Sequence, residues 1–346
     1  MEAAPFSTFG TLTAKRLGEM AFEPLRYVVP NLLPEGLALL AGKPKLGKSF
    51  LALDLAVSVA AGAMAMGSVS CEAGDVLYLA GEDSERRLQD RIRKMLQPGD
   101  DMPERLCLET RAMRVDEGLT DALRGWLHHR PGARLVILDT WATVKPVSTG
   151  RASAYDEDAA GLRPLHELAL AHPGLAVLVI HHTRKAESDD VFDTISGTRG
   201  LTGVADTLMV LARDGEQVRL TGQGRDIDPF DKALKRNTWS GSWSIIGDAR
   251  ELAKTGERQA ILDLLAEAEG ETLTTSQVAR AIGKRQDAAS YLLNKLLKDG
   301  QVSRPAYGKW TLAPPSKSSI PSNWDDEQSC EAGDFVDFER FEGVRP

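Results

Sequence analysis

Eight residues near the start of the chain, Gly42, Lys43, Pro44, Lys45, Leu46, Gly47, Lys48 and Ser49, have the types and spacing G-x-x-x-x-G-K-[ST]. That pattern wraps a phosphate chain: glycines let the backbone turn so that amide N–H groups point inward at the anion. Lys48 can reach the β- and γ-phosphates, and the Ser49 hydroxyl can ligate Mg²⁺. A chance Gly-Lys-Ser turn is the competing explanation, and the flanks decide against it. Residues 37–41 (LALLA) read as a buried strand, and after Ser49 apolar residues recur at helical spacing at Leu51, Leu55 and Val59. Gly42 to Phe50 are therefore the expected nucleotide-binding segment, opening a helix whose N-terminus adds partial positive charge. The expected ligand is a nucleoside triphosphate.

The elements that must position this loop recur downstream. Apolar runs at 76–80, 135–139, 176–181, 207–211 and 218–221 read as strands. Amphipathic stretches at 48–61, 85–96, 119–129 and 155–171 read as the intervening helices. Strands alternating with helices imply an α/β fold with a mainly parallel sheet covered on both faces. Ligands of such sheets bind beyond the carboxyl ends of the strands, where each run here delivers polar groups. Glu82 and Asp83 follow the first run, Asp139 ends the second, and His181 ends the third with His182 next to it. Asp139, after four apolar residues, fits the carboxylate that holds Mg²⁺ together with Ser49. Its successor is Thr140, so a hydrolytic base must come from elsewhere, and Glu82 is the natural candidate. Helix capping ahead of 84–96 is the alternative, and it suits Asp83 and Ser84 better than Glu82. The adjacent histidines could form a metal pair, although strand neighbours point to opposite faces.

The segments AGKPKLGKS, YLAGEDS, LVILDT, VLVIHHTRK and the later GRD resemble the RecA-like P-loop ATPase family. Within it they look most like the RepA-type replicative helicases of plasmids and phages, over roughly residues 30–230. The resemblance implies a RecA-like core using ATP and Mg²⁺. Glu82 would polarise the attacking water, and His181 or His182 would sense the γ-phosphate. Arg225, in Gly222-Gln223-Gly224-Arg225-Asp226, would be an arginine finger reaching a neighbour's nucleotide; an ordinary Arg–Asp surface turn is the alternative. Loops 143–154 (Lys145, Arg151) and 183–198 (Arg184, Lys185) would line a ring's channel and touch single-stranded DNA, or else be plain surface loops. Ser196 to Gly200 could also form a small anion nest. A homo-oligomer, a hexamer above all, follows from the same resemblance.

Length and composition fit this organisation. A chain of 346 residues with 42% hydrophobic and 27% charged residues holds an α/β core and a smaller domain. The net charge is −8, which excludes a uniformly basic nucleic-acid binder. Three cysteines without paired or metal-type spacing, and no signal-peptide pattern, point to a cytoplasmic protein. The apolar stretch 50–67 is interrupted by Asp54 and reads as a buried helix, so no membrane is expected.

Four regions are expected: a lead-in at 1–26, the ATPase core at 27–248 closed by a hairpin at 232–248, a small domain at 256–313 and a tail at 314–346. In 256–313 a helix, a helix-turn-helix and a two-stranded wing follow in order, which resembles a winged-helix domain. Its stretch 284–312 carries six basic and two acidic residues. Lys284, Arg285, Arg304 and Lys309 suit duplex phosphates, although such domains also dock proteins. The tail holds eight acidic against three basic residues with Phe335, Phe338 and Phe341 between them. It is expected to be disordered, either docking a basic replication partner or remaining solvated. A DNA-acting ATPase, in particular a replicative helicase, is the leading expectation. The alternative is an ATP-switched DNA-binding regulator or loader that does not unwind. A small-molecule kinase ranks last, because no lid with paired arginines is evident.

Overall fold

The computed structural model describes residues 11–148, 150, 152–183, 191–195, 200–215, 217–268 and 270–313. The chain divides into two compact units, Met1–Thr255 and Gly256–Pro346.

The first unit is organised by a nine-stranded sheet. Its strands in chain order are β1 (Gly36–Gly42), β2 (Asp75–Ala80), β3 (Leu106–Glu109), β4 (Ala133–Asp139), β5 (Ala176–His182), β6 (Thr207–Asp214), β7 (Gln217–Gly224), β8 (Phe230–Arg236) and β9 (Trp243–Asp248). Across the sheet they lie in the order β9-β8-β7-β6-β1-β5-β4-β2-β3. The six strands from β6 to β3 pair in parallel, while β7, β8 and β9 are added antiparallel. The hairpin expected at 232–248 thus extends the main sheet, and β7 is not its last strand.

β1 is an unbroken apolar run because both of its faces are covered. Ala38 and Leu40 join the core under helix α1 (Lys48–Ala61) and helix α2 (Glu85–Met95). Leu37 and Leu39 join the opposite core under α3 (Leu119–His128) and α4 (Ala154–Leu170). α1 is buried nearly all round, from Leu51 through Ala60, which explains its membrane-like hydropathy. It stops at Gly62, whose left-handed φ of 64° lets its N–H return to the carbonyls of Ser58 and Val59. Among the described residues no helix is long and apolar enough to cross a membrane. In the lead-in, residues Ala14–Gly18 form one short helix capped by Thr13, with none of its residues buried.

The second unit is built from the later part of α5 (Ala249–Glu267), α6 (Thr275–Ala281) and α7 (Gln286–Lys298). A small sheet completes it, from β10 (Leu273–Thr274), β11 (Val302–Ala306) and β12 (Lys309–Leu312), in the order β10-β12-β11. Thr274 caps α6 in a capping box with Gln277, which fixes the start of the helix at Thr275. Ile261, Leu265, Val278, Leu293, Leu296 and Trp310 form its core. The tail 314–346 lies outside the described residues.

Candidate nucleotide site

Strand register brings the chemistry together. In the parallel sheet Gly42 pairs with His182, and Ala80 pairs with Asp139, so β1, β5, β2 and β4 all end at one edge. The phosphate loop leaves that edge under strict steric control. A Cβ on Gly42 would stand 2.4 Å from the Leu211 carbonyl oxygen. Lys45 and Gly47 take left-handed φ values of 64° and 104°. Gly47 then opens α1 with no side-chain cap, which leaves the first-turn amides for an anion.

Lys48 is buried, and its Nζ donates to the carbonyls of Gly42 (2.7 Å) and Lys43 (3.0 Å). Its Nζ also lies 3.0 Å from His182 Nδ1, the ring nitrogen able to accept from it. Burial lowers the Lys48 pKa to about 8, against the opposing pull of Asp139 and Glu82. Burial, then Lys48 itself, lowers the pKa of His182 and keeps the ring neutral. His182 is therefore the histidine beside the loop. His181, the strand neighbour on the other face, has its pKa lowered to about 4 first by burial, against the opposing pull of Asp158.

Asp139 accepts a 2.7 Å hydrogen bond from the Tyr78 hydroxyl. Burial raises its pKa, and bonds from Tyr78 and Ser49 resist that rise. A buried carboxylate beside a hydroxyl supplies hard oxygen donors that fit Mg²⁺, which typically takes one or two protein ligands plus substrate phosphates. Among the described residues no group of three or more His, Cys, Asp or Glu is arranged to hold a metal. Glu82 Oε1 accepts from Thr140 Oγ1 at 3.0 Å, so the residue in place of a second acid orients the first. Asp83 is occupied by Arg87 and Arg91 of α2.

A cleft of about 450 Å³ joins Lys45, Gly47, Lys48, Ser49, Phe50, Glu82, Asp139 and His182. Of the remaining loop residues, Lys43 gives its carbonyl to Lys48, Pro44 is exposed, and Leu46 packs on the core. Arg91 and Arg236 each bring a guanidinium over the Phe50 ring, at 4.6 Å and 5.2 Å from its centre. Arg87, Arg91 and Arg236 also line the cleft, and the sequence reading did not include them. The i, i+4 spacing of Arg87 and Arg91 on one helix face was a readable signal. Arg236 gave none.

Arg225 does not join this cleft. Because β7 runs antiparallel, its last residue Gly224 pairs with Thr207, which pairs with Ala38 at the start of β1. Arg225 thus sits at the edge opposite the phosphate loop, bonded to Asp206 (3.2 Å) and to the Gly203 carbonyl (2.9 Å). In loop 143–154, Lys145 is exposed after a short helix Trp141–Val144. Arg151, Arg184, Lys185 and residues 196–199 lie outside the described residues. In the second unit Lys284 is paired with Glu257 at 2.6 Å and Arg285 with Asp287 at 3.4 Å, while Arg304 stacks 4.6 Å from the Tyr307 ring.

A family profile described as AAA domain matches residues 3–188, more than half of the chain. The chain belongs to the AAA domain family. One solved structure supports the fold, and two others show weaker similarity. The structure of one protein's ATPase domain is similar at 15% identity, with 62% of this AAA chain and 85% of that one covered and a TM-score of 0.50. A DnaB-like replicative helicase, solved in connection with its primase interactions, gives 15% identity, 60% and 57% coverage and a TM-score of 0.48. A KaiC-like protein from Pyrococcus horikoshii OT3 gives 12% identity, 65% and 100% coverage and a TM-score of 0.45. Comparison with curated proteins gives no match. The AAA core has the RecA-like P-loop fold of a nucleotide-binding protein.

Proposed function

We propose that the chain is an ATP-hydrolysing RecA-like motor acting on DNA, and specifically a hexameric replicative helicase of a plasmid, phage or mobile element. The observation that carries this reading is the meeting of Lys48, Ser49, Asp139, Glu82 and neutral His182 at one sheet edge. Lys48 and the uncapped amides of α1 hold the β- and γ-phosphates. Glu82, steered by Thr140, takes the proton of the attacking water, and His182 reports the γ-phosphate to β5 through Lys48. A magnesium ion held by Ser49 and Asp139 would neutralise developing phosphate charge when bound. Arg225, too far round its own sheet to serve its own cleft, serves a neighbour. Lys145, with Arg151, Arg184 and Lys185, contacts the single strand.

The second unit acts as a winged helix on duplex DNA through Arg285, Arg304 and Lys309, with Lys284 freed from Glu257 on binding. The acidic tail serves a basic replication partner. Strand displacement from a forked duplex, with ATPase followed on single-stranded DNA, tests the whole reading. ATP-dependent displacement by a ring-sized particle is expected. DNA-stimulated hydrolysis without displacement would instead make the protein an ATP-switched regulator or loader.

The depressed Lys48 pKa yields a separate expectation. Below pH 8 the ammonium is charged and ready for phosphate. Above it the free protein holds a neutral amine, so binding must take up a proton. ATP affinity should fall by up to about ten-fold per pH unit above 8. Calorimetric titration from pH 7 to 9.5 in buffers of different ionisation enthalpy reads both the affinity and the proton. A flat profile would show that Lys48 stays charged throughout this range and that burial does not depress its pKa to about 8.

A further inference from the structure

Of the large apolar and aromatic side chains among the described residues, Tyr307 in the second unit is the most exposed, at 95%. It stands at the tip of the hairpin that joins β11 to β12, in a two-residue turn with Gly308. Gly308 takes a left-handed φ of 71°, the kind of backbone that so short a hairpin requires. The tip is pinned to the start of α6. The Gly308 carbonyl accepts from the Thr275 backbone N–H at 3.2 Å, and Trp310 Nε1 donates to Thr275 Oγ1 at 2.9 Å. Trp310 is itself part of the unit's core. The Arg304 guanidinium lies 4.6 Å from the centre of the Tyr307 ring and 5.2 Å from that of Trp310, so it links the exposed ring to the buried one. A scattered surface aromatic needs no account. This one is held out into water by a built support.

The chemistry around the tip selects its ligand. Arg304 and Lys309 flank the ring, both exposed and neither paired with an acid among the described residues. Residues 284–312 hold six basic against two acidic residues, in a chain whose net charge is −8. An anionic partner with flat apolar faces fits such a surface, and nucleic acid is that partner. Inside a duplex both faces of every base are covered by stacking. Wedging between two stacked pairs takes both faces of an inserted ring, and Arg304 already stands over one face of Tyr307. The single free face suits a base that itself has one face free, which is the last pair of a duplex.

We propose that this hairpin tip is a binding site for the end of a DNA duplex, with the free face of Tyr307 stacked on the terminal base pair and Arg304 and Lys309 on the flanking phosphates. This rests on the reading of the second unit as a duplex-DNA binder. Stacking on an aromatic ring tolerates any base, so the site reads where a duplex stops and not its sequence. At a boundary between paired and unpaired DNA the same contact seats the unit at the last pair.

The test titrates the full chain against two DNAs by fluorescence anisotropy. One is a blunt-ended duplex; the other is a dumbbell of the same sequence whose hairpin loops cover both terminal pairs. Wild type should hold the blunt duplex about ten-fold more tightly, the scale of one base stacked on an aromatic ring. Tyr307→Ala should bind both DNAs with the affinity of the dumbbell, and Tyr307→Phe should keep the preference. The ring lies on the surface, so neither substitution disturbs a core. Lys309→Ala should instead weaken both DNAs alike and flatten their salt dependence, because it removes a phosphate contact. Equal affinity of wild type for the two DNAs, or a preference that survives in Tyr307→Ala, would overturn the proposal and leave the duplex reading standing. If wild type binds neither DNA, the duplex reading fails and takes this site with it.

Discussion

Glu82→Gln should bind ATP like the wild type and hydrolyse it about 10²- to 10⁴-fold more slowly. The structure makes this substitution unusually clean. Glu82 is exposed in the cleft and makes one side-chain bond, in which its Oε1 accepts from Thr140. A glutamine keeps an oxygen there to accept the same bond, so the loop after β2 stays where it is. What it loses is the ability to take a proton. Asp83, the only other acid on this loop, cannot substitute, since its carboxylate is divided between Arg87 and Arg91. Glu82 is also one of two carboxylates that hold up the Lys48 pKa. Binding must therefore be compared near pH 7, where Lys48 is charged in both proteins. Single-turnover hydrolysis with radiolabelled ATP separates chemistry from release. Wild-type turnover in Glu82→Gln would move the base elsewhere. Asp83→Asn should behave differently, loosening the junction of β2 with α2 by freeing two arginines.

The parts of this site that were legible in the sequence share one physical origin. Strands buried on both faces are written as runs of Leu, Val and Ile, and parallel strands bring their carboxyl ends to one edge. Residues 76–80, 135–139 and 176–181 therefore announced both the sheet and the places where Glu82, Asp139 and the histidines emerge. The same logic explains what could not be read. β3 is four residues of sheet edge, LCLE, half exposed and without an apolar run. Arg236 and Trp243 touch Gly47 from nearly two hundred residues away, a contact that no local pattern encodes. The choice between His181 and His182 needed the register that pairs His182 with Gly42. Looking just past each strand end also fails once the sheet turns antiparallel, since residues after β7 lie at the opposite edge from the nucleotide. Arg225 is the case in point.

That location sets up the sharpest test of assembly. Within one chain Arg225 bonds to Asp206, whose carboxylate also accepts from the Leu37 amide and His166, and to the Gly203 carbonyl. This cluster ties β1, α4 and the start of β6 together, so Arg225 could act as a fastener and nothing more. It is more than half exposed, however, while Asp206 is 14% exposed, which leaves the guanidinium able to exchange Asp206 for an outside anion. If it reaches a neighbour's γ-phosphate, Arg225→Ala should keep ATP affinity and lose about 10³-fold in turnover. A fastener alone predicts the reverse pattern, a lower melting temperature with normal turnover per folded molecule. Mixing resolves what single variants leave open. Arg225→Ala and Glu82→Gln subunits, each inactive alone, should regain activity together. An interface pairing Glu82 from one subunit with Arg225 from the next has every catalytic group. No recovery on mixing, or a fully active monomer in sedimentation at all concentrations, would confine Arg225 to its own subunit and remove the ring from the mechanism.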